Sequence, residues 1–161
     1  MTAALELSRN QVTHFYSPKK NTDEMIKLLD MLLIQYKNMR TLYLSWDAAS
    51  WHDSSTLHAR IEQANEHAAS EGAPRVELVP LPSSAQFLNV VESVFSGMAK
   101  AVIHNSDYVS ISAAKNAIDR YFYDRNQHYR EHPKKAGRKI WGQELVMPQF
   151  SESHNCKDPR W

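Results

Sequence analysis

At 161 residues the chain suits one domain, long enough to bury roughly two-thirds of its unfolded surface. Lys and Arg total 19 against 18 Asp and Glu, a formal net charge of +1, so bulk charge neither announces nor excludes a nucleic-acid partner and only local patches bear on it. The one cysteine, Cys156, excludes an intramolecular disulfide and a cysteine zinc cluster and fits a reducing compartment. The longest apolar run, Met31-Leu32-Leu33-Ile34, is far short of the roughly 20 residues of a membrane span. The N-terminus lacks a basic-then-apolar signal pattern, so a cytoplasmic protein with no membrane partner is expected.

Residues 3–7 and 12–17 are extended-type runs separated by the polar turn Ser8-Arg9-Asn10-Gln11, which reads as a β-hairpin. After Pro18, Thr22 offers an N-cap with Asp23 and Glu24 in the first turn, where carboxylates suit the helix dipole. This helix is expected to run to about Met39, with Met25, Ile26, Leu28, Leu29, Leu32, Leu33 and Tyr36 forming a wide buried face. A short strand follows over Thr41–Leu44. Asp53, Ser54 or Ser55 can cap the next helix, whose inner face of Leu57, Ile61, Ala64 and Ala68 is thin enough to read as peripheral. Gly72 and Pro74 end it, and Val76–Val79 form a strand stopped by Pro80 and Pro82. Apolar residues at 87, 88, 91, 94, 95 and 98 predict a buried helix face with Glu92 near its start. A last helix spans about Ile111–Arg130, with Arg120, Arg125 and Arg130 interleaved among aromatics, as on a solvated face with snorkelling stems or on a surface tracking a nucleic-acid backbone. The densest basic run, Lys134-Lys135-Ala136-Gly137-Arg138-Lys139, is either a solvated linker or a set of phosphate contacts. Residues 143–161 are expected to be a poorly ordered tail.

Asp47 is the residue to explain. It follows the Thr41–Leu44 run, and small residues let the chain turn away beside it. An acid at the carboxyl end of a buried strand is where open α/β sheets place ligand and metal chemistry, although turns and helix caps use aspartate as well.

Two segments carry a resemblance: Trp46-Asp47-Ala48-Ala49-Ser50-Trp51-His52, and Leu81-Pro82-Ser83-Ser84-Ala85-Gln86-Phe87-Leu88-Asn89-Val90-Val91-Glu92. In this order the chain resembles the catalytic domain of bacterial insertion-sequence transposases of the mariner-related superfamily, which are DDE-type endonucleases. The resemblance covers most of residues 3–142. In that family a strand ends in Asp, with a His a few positions on, and a Leu-Pro loop leads to a Leu-Asn-Pro-x-Glu helix start. Asp47 matches the second acid and Glu92 the third. Ala48 stands where the family has Asn, and Val90 where it has Pro; neither of those supplies a metal ligand. The interval from Asp47 to Glu92 is longer than is usual in the mariner branch and points to the insertion-sequence side.

The resemblance implies an α/β, ribonuclease-H-like fold: a mixed sheet with helices on both faces. It implies DNA cleavage and strand transfer with two magnesium ions roughly 3.5–4 Å apart, one activating the attacking oxygen and one stabilising the leaving oxygen; manganese is the substitute. Hard cations take oxygen ligands, which makes Asp47 and Glu92 the expected catalytic metal ligands, with His52 and Asn89 at the rim. Lys134, Lys135, Arg138 and Lys139 are then the expected DNA contacts. A homodimer on transposon ends and target DNA, near the bacterial nucleoid, is the expected assembly. The family's first acid lies on a central strand before the hairpin, and Glu6, Asp23, Glu24 and Asp30 do not occupy that strand. The expectation is therefore an N-terminally truncated catalytic domain over 1–142, lacking the first, central strand. Two rivals stay open. One is an inactive remnant that binds DNA or a full-length partner; the other is an unrelated doubly wound domain, which the lack of a Gly-rich phosphate loop disfavours.

Overall fold

The computed structural model describes residues 1–46, 54–79, 89–104 and 106–137, with backbone alone at 69–71. Strands β1 (Thr2–Glu6) and β2 (Gln11–Phe15) pair antiparallel, with Leu5 opposite Val12 and Ala3 opposite His14. The expected hairpin is present, one or two residues shorter at its carboxyl ends. Its turn closes through Asn10, buried and in the left-handed region at φ 57°, a conformation that asparagine tolerates better than most residues.

Helix α1 (Thr22–Gln35) starts at Asn21, whose side chain accepts from the Glu24 N–H at 3.2 Å; the cap is Asn21, not Thr22. The helix stops at Gln35 rather than near Met39. The Met39 N–H donates to the Tyr36 carbonyl at 2.8 Å, turning the chain back towards β3 (Thr41–Leu44). Helix α2 (Ser55–Glu71) is capped by Ser54 and ends at Gly72 in the left-handed conformation. It leads to β4 (Arg75–Leu78), which pairs parallel with β3. Helix α3 (Val90–Met98) passes into a π-helical turn over Ala99–Ile103, and α4 (Ile111–Glu131), capped by Ser110, completes the described chain.

Two cores result. Leu29, Leu57, Ile61 and Val76 join α1, α2 and β4, with Leu44, Trp46 and Leu78 packed against them. Helix α2 is thus not peripheral: Leu57 is 1% exposed, so two well-placed apolar residues seat a helix that looks thinly apolar in sequence. Val12, Val94, Met98, Val102 and Phe122 form the other core, joining the hairpin, α3, the π turn and α4. The π turn was not legible in the sequence. Val102, in this turn, is buried in the same core as Val94 and Met98.

Among the described residues the strands form two two-stranded sheets, β1-β2 and β3-β4. Their outer edges are closed in the same manner. The Asn126 side chain of α4 accepts from the Val12 N–H and donates to the Val12 carbonyl, both at 2.8 Å. Asn65 of α2 does the same to Val76, at 2.7 and 3.0 Å. Each amide imitates one residue of a neighbouring strand and satisfies edge groups that would otherwise need water. Among the described residues no comparable bond reaches the free edges of β1 or β3. α1 bridges the halves: Thr13 donates to Gln35 at 2.9 Å, and the Tyr36 hydroxyl donates to Glu6 at 2.8 Å.

Candidate functional site

Glu92 is the described member of the expected acid pair. It occupies the first turn of α3 with Asn89 at the cap. The Asn89 side chain does not cap the backbone; its Nδ2 donates to Glu92 Oε1 at 3.2 Å, while the Glu92 N–H donates to the Asn89 carbonyl at 3.1 Å. Val94 and Met98, buried two and six residues on, pin this helix to the core and leave Glu92 exposed on the other side. A carboxylate here favours the helix dipole, which alone accounts for an acid at this position. What the dipole does not require is an Asn that holds one carboxylate oxygen and fixes the side chain's direction.

Asp47 and His52 lie outside the described residues, as do Arg138 and Lys139. Asp47 comes three positions after the last residue of β3 in sequence. Among the described residues no three His, Cys, Asp or Glu side chains gather as a metal site.

The other carboxylates weighed from the sequence each have an observable situation. Glu6 accepts from Ser8 at 2.6 Å and from Tyr36. Asp30 accepts from Arg60 at 2.6 Å, tying α1 to α2. Asp23 accepts from Asn21 at 3.3 Å. Glu24 differs, because its Oε2 is buried with no hydrogen-bond partner among the described residues, a condition that folded proteins keep rare and that water or an ion relieves. As tests of fit, the exposed Glu92 carboxylate and the unpartnered Glu24 oxygen are both hard donors of the kind magnesium takes. Glu92 alone does not make a site; a second carboxylate must come from outside the described residues.

On the basic segment, Lys134 and Lys135 are exposed, but Ala136 between them and Gly137 is buried, at 6% exposure. Its N–H donates to the Leu7 carbonyl at 2.8 Å. The segment at 133–137 is therefore seated on the hairpin turn. Arg125 is not a solvated arginine: it donates to the Asn10 carbonyl at 2.8 Å and to the Asn10 side chain, and stacks over Tyr129 at 4.8 Å. Burial pushes its pKa down, partly offset by Tyr129 and Tyr121. No sequence pattern marks Asn10 as its partner, 115 positions away.

These features define a mixed α/β domain with an exposed, side-chain-oriented glutamate at a helix start and a basic segment seated at one end. A family model of the DDE superfamily endonucleases matches residues 1–115, and the chain belongs to that family. The class of chemistry is thereby transposase-type nuclease action on DNA, in a superfamily that typically uses divalent metals. No curated protein matches the chain. Among the described residues no helix is long and apolar enough to cross a membrane.

Proposed function

We propose that the chain carries the catalytic part of an insertion-sequence transposase of the mariner-related superfamily, acting in DNA cleavage and strand transfer with magnesium or manganese. The carrying observation is Glu92, exposed and oriented by Asn89 at the start of the helix that follows the parallel β3–β4 pair. Asp47, three positions past β3, is its partner in holding the metal, and His52 and Asn89 stand at the rim. Lys134, Lys135, Arg138 and Lys139 contact phosphates. Asp47 and Glu92 would hold a divalent pair, which would supply activation of the attacking oxygen and charge relief on the leaving one.

Residues 1–142 are the catalytic unit, of ribonuclease-H-like type, and 143–161 a tail. The closed outer edges of β2 and β4, set against the free edges of β1 and β3, support this reading, since a strand seated between β1 and β3 would unite the halves into one sheet. The test is magnesium-dependent cleavage of terminal-repeat DNA by the full open reading frame. Asp47→Ala and Glu92→Ala are each expected to abolish it while leaving the melting temperature unchanged; cleavage that survives either change sinks the assignment.

The second reading is an inert remnant that binds DNA or a full-length partner, and the sheet's division into two halves favours it. Retained duplex binding with no cleavage under magnesium or manganese by the full open reading frame would decide for it.

A further inference from the structure

The end of the molecule where α4 finishes is built from three segments fastened to one another. The hairpin turn at 7–10 is held on one side by Arg125 through Asn10, and by Gln11, whose Nε2 donates to the Asn126 carbonyl at 3.1 Å. On the other side it is held by Ala136 through Leu7. This places Arg9 on the turn, Arg130 in the last turn of α4 and Lys134 and Lys135 on the seated segment at a common end. The Arg9 side chain is 65% exposed, with only a loose approach of 3.7 Å to Glu6. Arg130 donates to Gln127 at 3.1 Å and is otherwise exposed.

We infer that this end is a preformed cradle for a nucleic-acid phosphate backbone, in which Arg9 and Arg130 act together with Lys134 and Lys135. The inference rests on the DNA-handling reading above and adds to it the hairpin turn, the helix end and the way they are fixed. The rival explanation of Arg130 is the negative end of the α4 dipole, which favours a cation in the last turn. That account does not extend to Arg9 or Lys134, which lie off the helix. Glu6, Asp124 and Glu131 temper the charge here, so the surface suits a polyanion held by several spaced contacts rather than a single small anion. Pre-seating matters because a free basic tail pays ordering entropy on binding, whereas a fastened one has already paid it.

The test is fluorescence anisotropy of the full chain with a labelled random-sequence duplex, titrated from 50 to 200 mM salt. Arg9→Ser and Arg130→Ser are each expected to lower the slope of log K against log salt by about 0.9, as Lys134→Ser does. Ala136→Pro keeps every charge but removes the N–H that reaches Leu7, and is expected to weaken binding severalfold. Arg9→Ser and Arg130→Ser with wild-type slope and affinity would overturn the cradle, leaving a tail that binds by itself; so would a wild-type chain that does not bind duplex at all. Arg9 is a surface position, so its variant remains informative should Ala136→Pro unfold, with far-UV circular dichroism as the control. Loss of cleavage with these slopes intact would instead count against the nuclease reading alone.

Discussion

Asp119 shows how one side chain joins two elements. Its Oδ1 receives His14 Nε2 at 2.8 Å and the Tyr16 hydroxyl at 2.9 Å, stapling β2 to α4, while the His14 ring rests on Phe122 at 4.8 Å. Burial alone would raise its pKa, but the bonds from His14 and Tyr16 and the nearby charges of His14 and Lys115 outweigh that and lower it. A carboxylate with a depressed folded pKa stabilises the protein above its unfolded value, near pH 4, and that contribution is lost as pH falls through the folded value. Because the Asp119 side chain is half exposed, Asp119→Asn is expected to cost only about 0.5 kcal/mol at pH 7. It should also flatten the fall in urea midpoint as pH drops below about 4. Tyr16 moves the opposite way, its hydroxyl held protonated by burial and by Asp119. Gly72 presents a purely conformational case. It sits at φ 66° with no described atom within 4 Å of an added Cβ, so Gly72→Ala should cost about 1 kcal/mol through backbone strain alone, read as a lowered melting temperature.

Each half sheet depends on a single amide at its rim. Asn65→Ala and Asn126→Ala each strand an N–H and a carbonyl of a buried strand residue, Val76 or Val12. Each should cost about 1–3 kcal/mol by urea denaturation, whereas the exposed Asn116 on α4 should tolerate alanine. Neither amide was legible in the sequence, since the pairings span 11 and 114 positions and Asn carries no periodic signal. The elements themselves were legible where apolar spacing or alternation was strong: the hairpin, β3, and α4 from Ile111. Ser54 and Gly72 announced the ends of α2 by their chemistry. What failed was local competition and long-range packing. Asn21 outcompeted Thr22 as a cap, and the chain turned at Tyr36 while Lys37-Asn38-Met39 still read as helix. The worth of Leu57 became visible only against Leu29 and Val76. Glu92 was singled out by its motif, and its bond to Asn89 is a product of the helix start. The seating of Ala136 had no pattern at all. Asp47, His52, Arg138 and Lys139 fall outside the described residues.

The described residues form two cores, one of which includes α1 through Leu29, and the bonds from the hairpin to the end of α1 are side-chain bonds rather than sheet ladders. Phe122→Ala, removing the largest fully buried side chain, should cost about 3–5 kcal/mol. Near-ultraviolet signals from the tyrosines of the α4 half should be lost before helix α2 melts. Amide hydrogen exchange should show Val12 and Val76 among the slow amides and the outward amides of β1 and β3 among the fast ones; equal protection on both sides would mean that something else covers the inner edges. The paired asparagine clamps also govern self-association. Two copies meeting through their β1 edges would make a four-stranded sheet terminated at each side by Asn126, with no rung on which a third copy could continue. β3 edges, terminated by Asn65, behave alike. Strand exchange through either edge therefore yields four-stranded sheets of finite width in place of the endlessly repeating cross-β ladder that unclamped edges invite.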